Sequence, residues 1–167
     1  MLVRALAMVG GLAGAVGASQ FPEFSQQYVQ RLGGAVDELG RFVADFDADA
    51  AGAGLDREEA LADLGAGGVM GAARAETMTG VILRHERLSQ DLERLRSAGP
   101  FTRAYLMRSA ADGEIAAAAW DEFQPALPLT AAGGIFAGAG FLGGLALMGA
   151  MLALIRAPFR RRGARIA

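Results

Sequence analysis

Residues 129–155 read LTAAGGIFAGAGFLGGLALMGAMLALI, 27 residues with no charged side chain and Thr130 as the one polar group. The chain then turns basic at Arg156, Arg160, Arg161, Arg162 and Arg165. An α-helix needs about 20 apolar residues to cross the hydrocarbon core, where every backbone N–H and C=O must be satisfied internally. The stretch therefore predicts a transmembrane helix over 129–155. Arginines crowded past one end predict that residues 156–167 form a basic cytoplasmic tail lying against anionic membrane lipid.

Residues 1–18 form a second apolar segment, charged only at Arg4. Two readings fit it. As a cleavable signal peptide it has a basic start, a short apolar centre and the small residues Val16-Gly17-Ala18 ahead of Ser19. As a retained anchor helix it carries Gly10, Gly14 and Ala18 at i, i+4 and i+8, a face of small residues that lets another backbone approach closely. The C-terminal span has matching pairs in Gly134/Gly138 and Gly140/Gly144, and two such faces favour a packed pair of helices. Both readings place residues 19–128 outside the cytoplasm.

The remaining composition bounds what that segment can be. Hydrophobic residues make up 53% of the 167, yet aromatics only 7%, so the apolar content is mostly Ala, Gly, Leu and Val. Strand-forming residues never alternate over a useful length, and the expected class is all-α. There is no cysteine, which excludes disulfides, thiolate nucleophiles and cysteine metal sites. Charge is segregated: residues 19–128 hold 10 Arg against all 18 acids, a net of −8, while residues 129–167 hold 5 Arg and no acid. So acidic a segment repels nucleic acid.

Within it, Phe24, Tyr28, Leu32, Ala35, Leu39, Phe42, Phe46 and Ala50 recur at steps of three and four, the signature of one buried stripe on a long helix. Pro22 suits its first turn and Gly52-Ala53-Gly54 its end. Asp56 and Glu59 have capping-box spacing and predict a short helix through Leu64. A second long helix is expected from Val69 to Ser97, with Met78, Val81, His85, Leu88, Leu92 and Leu95 in three-four, coiled-coil-like spacing. Equal lengths and a glycine-rich turn predict an antiparallel hairpin or small bundle, anchored between two hydrophobic terminal helices. Its expected seam sets Leu32, Leu39, Phe42 and Phe46 against Val81, His85, Leu88 and Leu92. Helices over 101–111 and 114–123 complete it, with Trp120 and Phe123 placed for a membrane interface.

Few residues offer chemistry. Asp45, Asp47 and Asp49 form a D-x-D-x-D run, and Asp56 stands twelfth from Asp45, as in a calcium loop. The sixth position, however, is Ala50 where the sharp turn needs glycine, and the twelfth is Asp in place of a bidentate Glu. His85 is the one histidine and sits at a seam position, where it could titrate or ligate a metal. Ser89 and Asp91 follow it, but a helix-borne Ser/His pair with no oxyanion donor is poor ground for a hydrolase. No glycine pattern follows a strand or precedes Lys-Ser/Thr, so no P-loop, dinucleotide fingerprint or other cofactor site is expected. The reading is of a protein that is not an enzyme.

The stretch Ser19–Gly34 (SQFPEFSQQYVQRLGG), with Phe46-Asp47, residues 54–61 (GLDREEAL) and Pro128-Leu129, resembles an uncharacterised proteobacterial family of small two-span inner-membrane proteins, one of the domain-of-unknown-function families. The resemblance implies a bacterial inner-membrane protein with two hydrophobic ends and supplies no activity. The resulting expectation is a scaffold or accessory protein whose periplasmic hairpin docks a membrane-protein partner or a second copy of itself. The alternative is a periplasmic small-ligand or metal-ion sensor acting through His85 or the Asp45–Asp49 run.

Overall fold

The computed structural model describes residues 1–125 and 130–163. Among them the chain is all-α, with seven helices: α1 (Leu2–Ser19), α2 (Phe21–Gly52), α3 (Arg57–Ala66), α4 (Gly68–Ser97), α5 (Pro100–Ala110), α6 (Gly113–Asp121) and α7 (Ala131–Gly163). Two stretches of helix are long and apolar enough to cross a membrane, one beginning at Leu2 and the other spanning Ala131–Ile155. The chain divides into two compact units, Met1–Ser25 with Phe123–Ala167, and Gln26–Glu122.

In the first unit α1 packs along α7. Their outward sides are apolar: Leu6, Val9, Leu12 and Val16 on α1 and Ile135, Leu142, Leu147 and Leu154 on α7 are exposed. A helix pair that is apolar outside suits a hydrocarbon surround. Phe21 stacks at 5.3 Å from Phe136, and Phe24 meets Phe123 edge-on at 5.8 Å. Helix α7 continues past Ile155, where the apolar run ends, to Gly163. Arginine is a good helix former, so the backbone ladder persists where the hydropathy stops.

The second unit is a hairpin of α2 and α4 with the shorter helices against it. The direction is antiparallel: Gly33 lies under the Arg96 guanidinium, Gly40 under the His85 ring, and Val43 in a core cluster with Ile82 and Met78. Two local motifs build the turn. At the end of α2 the Leu55 N–H donates to the Ala50 carbonyl and the Gly54 N–H to that of Ala51, with Gly54 at φ +77°, a Schellman termination that needs a left-handed residue. At the start of α3 the Asp56 carboxylate accepts from the Glu59 N–H at 2.8 Å, and the Glu59 carboxylate accepts from the Asp56 N–H at 3.0 Å. Helix α3 then lies so close to α4 that a Cβ on Gly71 would strike the Leu64 carbonyl. Arg103 closes the far end of α4 by donating to the Leu95 and Ala98 carbonyls, which lack helical partners.

The core runs through Tyr28, Leu32, Val43 and Ala50 on α2, Ile82, Leu88, Leu92 and Leu95 on α4, and Ile115 and Ala119 on α6. This corrects the expected seam on both helices, with Val43 and Ile82 buried where Phe42 and Val81 were expected. Phe42 is 58% exposed, and Val43 is buried in its place. The seven-residue step from Leu39 to Phe46 can be split at either residue. Met78 and Ile82 close over the smaller Val43 and leave the phenyl ring outside. Val81 and His85 are correspondingly only half-buried, whereas Leu88 and Leu92 lie inside.

Candidate functional site

Of the small residues expected to pack the terminal helices, the structure brings four glycines and Ala18 together within the first unit. A Cβ on Gly14 would overlap the Gly140 carbonyl, and one on Gly144 would overlap the Gly10 carbonyl. Gly140 also faces the Ala18 methyl, and Gly10 faces the Met148 side chain. These contacts run in opposite order along the two helices, so the pair is antiparallel. Gly134 and Gly138 are not in this seam, because a Cβ at either would meet nothing within 4 Å. Sequence spacing missed Gly11, which is buried under the Phe141 ring at 2.8 Å from where its Cβ would stand. The neighbouring Gly10-Gly11 pair was the available signal, since consecutive residues face two sides of a crossing partner. In hydrocarbon no hydrophobic force draws helices together, so close van der Waals contact across small residues carries the association.

The second unit holds a groove of about 350 Å³ over the hairpin. Phe42 and Phe46 of α2, Leu64 of α3, and Met78 and Val81 of α4 form its apolar lining. Its edges are charged: Asp45 and Asp49 border it from α2 and Arg74 from α4. Among the described residues none of these three charges is in an ion pair.

A buried carboxylate fixes the opposite end of the hairpin. Asp112 caps α6 by accepting from the Glu114 and Ile115 amides at 3.2 Å. The same carboxylate pairs with Arg84 at 3.3 Å and Arg87 at 3.2 Å, and the Asp112 N–H donates to the Tyr28 hydroxyl at 2.9 Å. Burial pushes the Asp112 carboxyl up, but the Ile115 amide, the hydrogen bond from Arg87 and the two guanidinium charges outweigh it and hold it below the ordinary carboxylate value. Burial likewise raises the Tyr28 hydroxyl above its usual value. This node ties α2, α4 and α6 together.

The candidate metal ligands are dispersed. Asp47 is taken by Arg57 in a two-point ion pair, 2.8 Å from Nε and 2.6 Å from Nη2, and the Asp56 carboxylate is spent on the α3 cap. Asp45 and Asp49 border the groove, and the His85 ring covers Gly40 with its Nε2 3.1 Å from where a Cβ would stand. Among the described residues no three His, Asp or Glu side chains converge to hold a metal ion. The Ser89 hydroxyl is enclosed and, among the described residues, has no hydrogen-bond partner, so it is not engaged by His85. Of the arginines expected to lie at a membrane surface, Arg156, Arg160, Arg161 and Arg162 are on the last turns of α7, and Arg165 lies outside the described residues.

These features define a class: an all-α protein with an apolar, glycine-packed helix pair and a separate helical hairpin. The chain belongs to the DUF2937 family, proteins of unknown function, whose family model matches residues 2–161. No curated protein and no solved structure matches the chain.

Proposed function

We propose that this protein is an inner-membrane scaffold or accessory subunit, held by two spans and presenting the α2–α4 hairpin in the periplasm to a partner or to a second copy of itself. The observation that carries the reading is the antiparallel glycine seam of Gly10 and Gly14 with Gly140 and Gly144. A removable leader has no use for a carbonyl-to-backbone fit with the last helix of its own chain, whereas a retained anchor does. Two antiparallel spans put both ends of the chain on one side, and the arginine-rich C-terminal end makes that side the cytoplasm. The hairpin contributes a structured, acidic surface and, on this reading, no catalysis.

The test has three parts. A periplasm-dependent reporter is expected to be active when inserted near Gly52 and silent when fused after Ala167, and the reverse pattern overturns the topology. Mass spectrometry of the membrane-extracted chain is expected to find residues 1–18 present, and a mature start at Ser19 overturns the two-span reading. Purification in mild detergent is expected to bring down a bound protein, a second copy included. A thermal shift with calcium or zinc would instead favour the sensor.

A further inference from the structure

From the groove of the second unit we infer that the partner of the hairpin is a second copy of the same chain, docked face to face across Phe42. This deepens the scaffold reading by naming the occupant, and rests on it. The groove is apolar at its floor and exposes a phenyl ring at its edge, with Phe42 58% open to solvent although it belongs to a helix that buries Tyr28 and Leu32 completely. Aromatic side chains left outside a core beside a concave apolar surface are the usual anchors of protein interfaces.

The charges select the occupant. Asp45 and Asp49 stand one turn apart on the α2 edge, and Arg74 stands on the α4 edge. The antiparallel register that sets Gly40 beside His85 and Val43 beside Ile82 brings Arg74 level with the Asp49 end of α2. A two-fold axis parallel to the hairpin places α2 of each copy opposite α4 of the other at the same level. Under that operation Asp45 and Asp49 of each copy meet Arg74 of the other, twice over, and each Phe42 closes on the other groove. A patch that is self-complementary under a two-fold is what an isologous dimer requires. All three charges are exposed beside the groove and, among the described residues, none is in an ion pair, which leaves them available to a counterpart on a second copy.

The test uses the full chain in detergent and in nanodiscs, with mass measured by light scattering across concentration. Wild type is expected to be a dimer. Arg74→Glu sets three negative charges together at each contact, and the pair Asp45→Arg with Asp49→Arg sets three positive ones. Like charges brought together at an interface cost several kcal/mol, so each variant alone is expected to weaken dimerisation by at least ~10-fold. Mixing the two variants restores opposite charges at both contacts and is expected to return a heterodimer of near wild-type affinity. That rescue also shows that both variants fold, as does an unchanged helical circular-dichroism spectrum. A monomeric wild type, or a dimer indifferent to either charge reversal, overturns the inference. So does a monomer that captures a different protein through this groove, although that result leaves the anchored-scaffold reading standing.

Discussion

The glycine seam makes the sharpest prediction about single residues. Gly14→Leu inserts a branched side chain where backbone atoms of Gly140 and Gly144 already sit, and forced overpacking of this kind costs about 1–3 kcal/mol or more. Gly138→Leu adds the same side chain to open space and is expected to leave stability nearly unchanged. Unfolding midpoints of the two variants in detergent separate the cases. In the hairpin, Leu88 is wholly buried, so Leu88→Ala is expected to cost ~2–5 kcal/mol, while the exposed Glu93→Ala should stay within about 0.5. Single residues were only partly legible in the sequence. The i, i+4 spacing located Gly10 and Gly14, but it gave four glycines of α7 equal standing, because which face of an apolar helix meets a neighbour depends on where that neighbour lies. Phe42 was misplaced for a related reason. A three-four pattern fixes a stripe to within one residue, and packing volume decides the rest.

Asp112 governs an element. Replacing it with Ala removes the α6 cap and leaves Arg84 and Arg87 without their shared partner; a lost cap alone costs about 0.5–2 kcal/mol, and the buried Tyr28 contact loosens with it. The pH dependence has a definite sign. Asp112 has a lower pKa in the folded state than in the unfolded chain, so its contribution is complete above the unfolded value near ~3.9 and is lost as pH falls through the folded one. Wild type is therefore expected to exceed Asp112→Asn in stability at pH 7, with the gap narrowing as pH drops below about 4. Equilibrium denaturation of both at several pH values checks this. Helices and local motifs were the most legible level of all. The Asp56–Glu59 box and the Gly54 turn are encoded within four residues of the atoms they satisfy. The Asp112 node was not legible, because its partners lie 25, 28 and 84 residues away and no spacing rule reaches that far.

At the scale of the whole molecule, the lack of strand-like alternation made the all-α class legible in the sequence, and hydropathy the two apolar ends. A length of apolar helix and a count of arginines need no tertiary information. They also yield a clean prediction: moving the basic cluster by placing three arginines between Ser19 and Pro22, with Arg160, Arg161 and Arg162 replaced by Gln, is expected to invert the reporter pattern at Gly52 and Ala167. The order in which the chain is made has a further consequence through Tyr28. Its hydroxyl is satisfied by an amide 84 residues downstream. At ~5–20 residues per second of synthesis, that amide emerges about 4–17 s after the tyrosine. Until α4 follows, the newly made α2 presents its apolar stripe uncovered, and until residue 112 follows the Tyr28 hydroxyl lacks its amide, so nascent chains arrested before those points are the species in which a chaperone or a neighbouring nascent copy would first find α2.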